Sequence, residues 1–254
     1  MNYLRFHTGQ EIKEGVLLDN EEIREIQGSF YGSFSITEQS YQLAEVTLLP
    51  PCLPSKVVCV GLNYADHARE VNMPLPKEPV LFIKPSTTVI GPDETILYPS
   101  NSQQVDYEAE LAIVIKDRAK NINAQDALSY ILGYTCCNDV TSRDLQRKDG
   151  QWTRAKSFDT FCPLGPWIVP DLDTSNLKIQ LILNGHLKQS SSTKEMIFSP
   201  AQLVSYVSKI MTLLPGDVII TGTPPGIGTM EIGDTVEVFI EKIGILRNYL
   251  RNSL

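Results

Sequence analysis

The sequence predicts a mainly β fold with few helices, of the α+β class. Its apolar segments are of strand length, and glycine, proline and polar turn residues separate them. Helical periodicity is scarce, and strands do not alternate regularly with helices, which argues against a doubly wound parallel sheet. With 254 residues, of which 42% are apolar, the chain is long enough to bury a full hydrophobic core.

A proline cluster divides the chain into two predicted units. Pro50, Pro51 and Pro54 are too closely spaced for the interior of a strand or helix, because proline lacks the backbone N–H that both need. We therefore predict a small N-terminal β domain over residues 1–50 and a larger domain over residues 51–254. In the first unit, strands are predicted at residues 2–6, 15–18 and 42–48, around a polar stretch at residues 28–35.

The larger unit is rich in predicted strands. Its strands are placed at residues 56–60, 80–84, 108–115, 130–137, 178–183, 217–221, 235–240 and 245–249. Only two clear helices are predicted, at residues 64–71 and 199–211. Asn63 is expected to cap the first, and Ser199 followed by Pro200 is a typical start for the second.

Charge and composition exclude several classes of protein. The net charge is −8 and no basic run supplies a footprint for nucleic acid. No apolar stretch is long enough to cross a membrane, and the N-terminus lacks a secretory pattern, so we expect a cytoplasmic protein without a membrane partner. The five cysteines lie in apolar stretches without a Cys-x-x-Cys pair, which favours buried thiols over a zinc or disulfide framework. A reactive thiol at Cys136 or Cys137 is the alternative.

The most informative segment is acidic. Glu108 and Glu110 alternate on a predicted strand, directly before the apolar run of residues 111–115, and Asp139 follows a second apolar strand. Carboxylates two residues apart on a strand point to one face, and buried carboxylates need a cation or a metal ion. The pattern predicts a divalent metal site, although a solvated edge strand has the same alternation.

His67 and Glu70 lie three residues apart on the first predicted helix. This spacing lets the carboxylate bond one imidazole nitrogen and fix the tautomer of the ring, as it does for a general base. Such pairs are more often found on helix surfaces, so catalysis by this pair is the less common of two interpretations.

Four further residues are candidates for the same site. Arg143 and Gln146 follow Asp139 closely; Arg143 is suited to a bidentate grip on a substrate carboxylate, or to an ion pair with Asp144 at a helix start. Lys156 lies in a mixed apolar segment, where an ammonium group could stabilise an enolate, although most lysines are simply solvated. Thr223 lies in a Gly/Pro/Thr loop after a strand, and that loop lacks the signature of a phosphate loop.

Six segments in order resemble one known family. They are residues 61–67 (GLNYADH), 79–86 (PVLFIKPS), 106–110 (DYEAE), 138–146 (NDVTSRDLQ), 156–161 (KSFDTF) and 216–223 (GDVIITGT). Together they resemble the fumarylacetoacetate hydrolase family, and the resemblance covers essentially the whole chain. It implies a mixed β-roll with a small N-terminal β segment, in a homodimer.

The resemblance also implies a ligand set and roles. Glu108, Glu110 and Asp139 are expected to bind Mg²⁺ or Mn²⁺, and three oxygen donors suit Ca²⁺ as well. His67 and Glu70 are expected to form the catalytic base, and Lys156 is expected to contact the substrate as a third catalytic residue. Arg143, Gln146 and Thr223 are expected to bind a small 2-oxo or 2,4-dioxo acid.

The implied reaction is metal-dependent hydrolysis of a C–C bond in a 2,4-dioxo acid, such as an acylpyruvate, with a pyruvate enolate stabilised by the metal and Lys156. Two alternatives share that enolate: decarboxylation of oxaloacetate, and isomerisation or tautomerisation of a 2-oxo or 2-hydroxy-dienoic acid such as 2-hydroxyhepta-2,4-diene-1,7-dioate. A further alternative is a member that binds metal without catalysis.

Overall fold

The structure is a computed structural model that describes residues 1–253, and these residues form a mainly β protein, as the sequence predicts. Their strands are β1 Asn2–His7, β2 Ile12–Leu17, β3 Glu22–Gly28, β4 Phe34–Gln42, β5 Thr47–Leu48, β6 Lys56–Val60, β7 Leu81–Pro85, β8 Val89–Ile90, β9 Thr95–Tyr98, β10 Val105–Tyr107, β11 Ala109–Ile115, β12 Ile131–Asn138, β13 Thr141–Ser142, β14 Cys162–Val169, β15 Lys178–Leu183, β16 His186–Ser192, β17 Val218–Ile220, β18 Gly228–Met230, β19 Thr235–Ile240 and β20 Gly244–Asn252. The helices are α1 Ala65–Glu70, α2 Arg143–Asp149, α3 Thr153–Lys156 and α4 Pro200–Ile210.

The strands of residues 1–253 form three sheets, of which the two larger ones are mixed and the short one is antiparallel. The largest has the order β4-β3-β2-β1-β14-β12-β11-β17-β6-β7, with β5 beside β1 and β8 beside β14. A five-stranded sheet has the order β16-β15-β19-β20-β9, and a short sheet has the order β13-β10-β18. The predicted N-terminal unit is continuous with the largest sheet, because β1 pairs with β14 through Tyr3 and Ile168.

Strand β11 lies at the centre of the molecule, and both of its faces are buried. Leu111 and Ile113 belong to a core that includes the five-stranded sheet and α4, whereas Ala112 and Val114 belong to a second core that includes residues of the N-terminal strands. Successive side chains of a strand point to opposite faces, so a strand between two cores needs an uninterrupted apolar run. This explains why the residues after Glu110 do not alternate with polar ones.

Helix α4 begins as the sequence predicts. The Ser199 side chain accepts a hydrogen bond from the Gln202 backbone N–H, the Gln202 side chain bonds back to Ser199, and Pro200 occupies the first turn. This capping box satisfies N–H groups that have no partner inside the helix.

The topology brings several strand ends to one edge of the largest sheet. Strands β6 and β17 are parallel and end together. Strand β11 is antiparallel to β17 and begins at that edge, and β12, antiparallel to β11, ends there. The residues that flank these ends, Glu108, Asp139 and the loop after Ile220, therefore meet although they are far apart in the sequence.

Candidate active site

Three buried carboxylates converge at this edge of the sheet. Glu108, Glu110 and Asp139 each offer an oxygen, and these oxygens lie within 4.8 Å of one another. Glu108 lies in the break between β10 and β11, where its backbone N–H donates to the Asn138 side chain over 2.9 Å. The Asp139 N–H donates to the Glu108 carbonyl over 2.8 Å, which joins the two ligand-bearing segments directly.

Three cationic side chains surround the carboxylates. Lys156, only 2% exposed, donates to Glu108 Oε2 over 2.9 Å and to Asp139 Oδ2 over 2.5 Å. Lys84 of β7, which is 0% exposed, donates to Asp139 Oδ1 over 2.5 Å and to the Val140 carbonyl over 3.0 Å. Arg143 donates to the remaining oxygen of Glu108.

The pKa values of the carboxyl groups diverge. Burial would raise the pKa of Glu108, but Lys156 and Arg143 outweigh that effect and lower it to about 2. Burial, together with the charges of Asp139 and Glu108, raises the pKa of Glu110 well above its ordinary value. Burial opposes the charge of Lys156, yet Asp139 and Glu108 raise its pKa, so it stays an ammonium group.

The donor set fits a divalent metal ion. Three carboxylate oxygens at one edge of a sheet suit a hard cation such as Mg²⁺, Mn²⁺ or Ca²⁺. Within residues 1–253, the Glu110 carboxylate receives one hydrogen bond, from the Gly222 N–H over 2.6 Å, and none from the three cations. A divalent ion beside Glu110 would supply the positive charge that none of the three cations brings into contact with this carboxylate.

Helix α1 places a histidine beside the carboxylates. His67 is 8% exposed, and its Nδ1 lies 2.8 Å from Glu70 Oε2, the contact expected from their spacing. Glu70 is held from its other side, where Oε1 accepts a hydrogen bond from the Gly226 N–H over 3.1 Å. The carboxylate therefore fixes the orientation of the ring and leaves Nε2 for a ligand.

Asn63 has a different role from the predicted one. The residue before α1 is Tyr64, and no side chain caps this helix, so the expected Asn63 cap is wrong. The Asn63 amide instead donates to the backbone carbonyls of Thr221 and Phe198 and accepts from the Phe198 N–H. It thereby connects the start of α1 to the loop after β17.

Arg143 is held in place before any substrate arrives. Its Nε donates to Asp106 over 2.9 Å and one terminal nitrogen donates to Gln146 Oε1 over 2.7 Å. Asp106 also accepts from Thr229 over 2.9 Å. Because a guanidinium group has five N–H donors, Arg143 keeps donors for a ligand after these contacts and the one to Glu108.

Thr223 is positioned by a buried glutamine. Gln189 Nε2 donates to Thr223 Oγ1 over 2.9 Å and to the Pro224 carbonyl over 2.8 Å, while its Oε1 accepts from the Ala109 N–H over 2.9 Å. One side chain thus ties the Gly/Pro/Thr loop to the start of β11.

A cavity of about 500 Å³ joins most of these groups. Of the predicted site residues, seven line it: His67, Glu108, Asp139, Arg143, Gln146, Lys156 and Thr223. Glu110 and Glu70 lie behind this lining, in contact with Gly222 and His67 respectively. Much of the remaining wall is apolar, and Phe82 and Trp152 belong to it.

Sequence reasoning missed Lys84, Phe82 and Trp152. Phe82 and Lys84 are two residues apart on a strand, so the sequence does indicate that their side chains share a face. A single lysine in an apolar strand does not by itself reveal a buried partner 55 positions away. Trp152 lies in a polar loop, and the sequence carries no sign that its ring packs against Phe82 at a centroid distance of 5.2 Å.

The five cysteines are free and buried. Burial raises the pKa of the Cys136 and Cys137 thiols, which keeps them protonated near neutral pH. This favours their interpretation as small core residues over that of a reactive thiol beside Asp139.

The edge of the sheet therefore brings together a carboxylate triad suited to a divalent metal ion, a histidine oriented by a carboxylate, and cations around one cavity. Residues 56–251 match the family model described as fumarylacetoacetate (FAA) hydrolase C-terminal, and residues 1–51 match one described as Rv2993c-like, N-terminal. The chain belongs to the fumarylacetoacetate hydrolase family, as its sequence motifs predict.

Relatives in this family differ in the reactions that their names state. The mitochondrial oxaloacetate tautomerase FAHD2B of Bos taurus is 48% identical over 218 residues, which cover 81% of this chain and 69% of the relative. The crystal structure of 5-carboxymethyl-2-hydroxymuconate delta-isomerase from Mycobacterium smegmatis has a TM-score of 0.94 and 45% identity, with 100% of both chains covered. Fumarylacetoacetate hydrolase from psychrophilic Exiguobacterium antarcticum has a TM-score of 0.91 and 35% identity over the same full coverage.

Members of this family are enzymes that act on small molecules. Among residues 1–253, no helix has the length and hydropathy needed to cross a bilayer.

Proposed function

We propose that the chain is a metal-dependent enzyme that moves a proton at carbon 3 of a 2-oxo acid, interconverting its keto and enol forms. The observation that carries this proposal is the buried His67, oriented by Glu70 and lining the same cavity as Glu108 and Asp139. Enolisation needs a base at the carbon beside the oxo group and positive charge near the oxygen, and this cavity has both.

The histidine pair supplies the base. The Glu70 carboxylate accepts a hydrogen bond from the Nδ1–H, so the neutral ring has its lone pair on Nε2. In the keto-to-enol direction, Nε2 takes a proton from carbon 3 and delivers it to the oxygen on carbon 2, and the return to the keto form reverses both transfers. The Glu70 carboxylate stabilises the imidazolium formed in between.

Positive charge comes from this chain and from the ion. A divalent metal held by Glu108, Glu110 and Asp139 would supply a Lewis acid for the 2-oxo group. Lys156 keeps its charge next to two of those carboxylates and stabilises negative charge that develops on a substrate oxygen. Arg143 donates a hydrogen bond to Gln146, and these two side chains hold the substrate carboxylate.

The names of two relatives support this reaction over the others in the family. The tautomerase from cattle and the delta-isomerase from M. smegmatis both shift a proton without breaking the carbon skeleton. Oxaloacetate is accordingly the first substrate to test.

Hydrolysis of a C–C bond in a 2,4-dioxo acid is the second candidate. The same His67–Glu70 pair can activate a water molecule, and a solved relative with 35% identity is called a hydrolase. In that reaction, water adds to the carbonyl at carbon 4, the bond between carbons 3 and 4 breaks, and a carboxylic acid leaves with pyruvate. Decarboxylation of oxaloacetate is a further outcome that the same assay detects.

The test uses the purified full chain with Mg²⁺, separately supplied with oxaloacetate and acetylpyruvate in D₂O and followed by NMR. Deuterium exchange and keto–enol interconversion without new carbon products would support enolisation, whereas acetate and pyruvate from acetylpyruvate would support hydrolysis. We expect His67→Gln to abolish the reaction and Glu70→Gln to lower kcat more than it raises KM, since Glu70 acts through the ring.

The matched control is His186→Gln, because His186 is exposed on β16 and lies outside the cavity. If His67→Gln were as active as this control, the histidine pair would have no catalytic role. Stabilisation by Mg²⁺ without turnover of either acid would instead indicate a non-catalytic metal-binding protein. The expected homodimer is checked separately by sizing chromatography, where elution at the mass of one chain would contradict it.

A further inference from the structure

The cavity is larger than a four-carbon acid requires. At about 500 Å³ it lies in the range of sites that enclose much larger ligands. If the acid group and the 2-oxo group bind at the carboxylates, a large part of the volume is left for the rest of the substrate. The lining of that part indicates what the substrate carries there.

Burial shows which end of the cavity is inner. Lys156 and Asp139 are almost fully buried, whereas Val80, Met73 and Leu75 are 50%, 56% and 57% exposed. The charged groups therefore lie at the inner end, and the segment between α1 and β7 forms the outer rim. A substrate that binds through its acid group at the inner end extends its other end towards this rim.

Aromatic rings form the wall between the two ends. The Phe82 ring centroid lies 5.1 Å from Lys156 Nζ, and the Trp152 ring packs edge-on against Phe82. Trp152 in turn covers Gly61, where an added Cβ would approach its ring atoms to 2.6 Å. Since the Gly61 N–H donates to the carbonyl of Val80 over 2.9 Å, these contacts connect the ammonium group to the rim.

The outer part of the lining has no charged side chain. Its exposed members include Val71, Met73, Leu75 and Val80, which are all apolar. The charged residues of the same segment, Lys77 and Glu78, are exposed and are not part of the described lining. A second carboxylate at the far end of a long substrate would lose water there without gaining a partner, which is unfavourable.

We propose that, beyond a four-carbon acid such as oxaloacetate, this cavity takes longer 2-oxo acids whose far end is an uncharged hydrocarbon group, and that an equally long acid with a second terminal carboxylate is discriminated against. This inference rests on the proposed function, because it assumes that the acid group binds at the inner end. It concerns the length and polarity of the substrate beyond carbon 4, and it assigns recognition of this part of the substrate to the outer cavity.

The test measures binding of N-substituted oxamates, which are 2-oxo acid analogues without a proton at carbon 3 and without a C–C bond to hydrolyse. Titration calorimetry with the Mg²⁺-loaded chain compares N-methyl, N-propyl and N-pentyl oxamate. We expect affinity to rise about fourfold per added methylene, equivalent to about 0.8 kcal/mol, until the cavity is filled. N-(4-carboxybutyl) oxamate has the same length as N-pentyl oxamate, and we expect it to bind at least about tenfold more weakly.

A charge placed on the rim should reverse this preference. Leu75→Lys puts an ammonium group at an exposed position, so folding is preserved, and we expect it to weaken N-pentyl oxamate and to strengthen the carboxybutyl analogue. Leu187→Lys is the matched control, because Leu187 is 55% exposed and lies outside the cavity. We expect it to leave all four affinities unchanged.

Equal affinities across the series, tighter binding of the carboxybutyl analogue by the unmodified chain, or no binding of any oxamate would overturn the assignment. Failure of the proposed function has a different signature: the methylene series would still show its gradient, while no 2-oxo acid would exchange deuterium at carbon 3. Exchange with a flat methylene series would leave the proposed function standing and refute the inference about the tail.

Discussion

Replacement of Lys84 by methionine tests the balance of charge around the carboxylates. Methionine keeps most of the side-chain length, so Lys84→Met removes the ammonium group without opening a large cavity. In the metal-free protein, Asp139 loses its 2.5 Å contact with Lys84 and keeps the one with Lys156. The Val140 carbonyl, at 3.0 Å, loses its donor as well.

The magnitude follows from burial. Loss of one partner from a buried ion pair costs about 3–5 kcal/mol, and Lys84 and Asp139 are both essentially inaccessible. Because Lys156 still compensates Asp139, we expect the lower end, about 3 kcal/mol, without metal. About 1 kcal/mol of this belongs to the Val140 carbonyl and should persist with metal, since the ion cannot donate to that oxygen. The remainder should disappear when a divalent ion sits beside Asp139, and the affinity for Mg²⁺ should increase.

The assay is urea unfolding followed by circular dichroism, in EDTA and in saturating Mg²⁺. Lys188→Met is the control, since Lys188 is exposed and has no ion-pair partner among residues 1–253; we expect a change within about 0.5 kcal/mol. The same loss of stability for Lys84→Met in EDTA and in Mg²⁺ would show that no ion compensates Asp139. A loss under about 1 kcal/mol in EDTA would refute the reasoning about the buried pair itself.

Three further substitutions test the loops and the ligand set. Gly61→Ala should displace the ring of Trp152, destabilise the fold by about 1–3 kcal/mol and shift tryptophan fluorescence. Gly32 has open space around it, so Gly32→Ala should have none of these effects. Gly222→Ala should lower both stability in urea and Mg²⁺ affinity in calorimetry, because Gly222 has a φ of +93° and donates to Glu110. Glu110→Gln should abolish stabilisation by Mg²⁺ in thermal unfolding, yet stabilise the metal-free chain. A carboxyl whose pKa is raised in the folded protein loses its stabilising effect as the pH rises above the ordinary carboxyl pKa of 4.5 and through the raised one. The gain from Glu110→Gln should therefore widen as the pH rises above 4.5, and a constant gap would contradict it.

Strands with a clear apolar pattern could be predicted closely from the sequence. The predicted bounds of β6, β15 and β19 agree with the structure, because each has Val or Ile at buried positions and turn residues at its ends. Strand β14 was missed because it contains Pro163, Gly165 and Pro166, which ordinarily argue against a strand. Strands β3 and β4 were missed as well, since both are rich in polar residues and β4 is mostly exposed.

The acidic members of the site could be predicted, whereas its cations could be predicted only in part. A carboxylate next to an apolar strand stands out, because a buried charge needs an explanation. A lysine such as Lys84 does not, because lysines are commonly solvated and only the tertiary fold shows that β7 brings this one to Asp139. The contact of Asp106 with Arg143 could not be predicted either, because it depends on the approach of α2 to β10 in the folded protein.

The two ends of the cavity have different physical constraints, and this separates the chemistry from the choice of substrate. At the inner end, each carboxylate and cation is held by buried hydrogen bonds, so one substitution there disturbs several partners at once. Arg143 illustrates this coupling, since it contacts Asp106, Glu108 and Gln146 together. At the rim, Met73 and Leu75 are exposed and can change with small effects on stability. Substitutions at the rim should therefore change which 2-oxo acid binds while the proton transfer at the inner end is retained, and a rim variant with altered specificity and an unchanged solvent isotope effect on kcat would be the expected result.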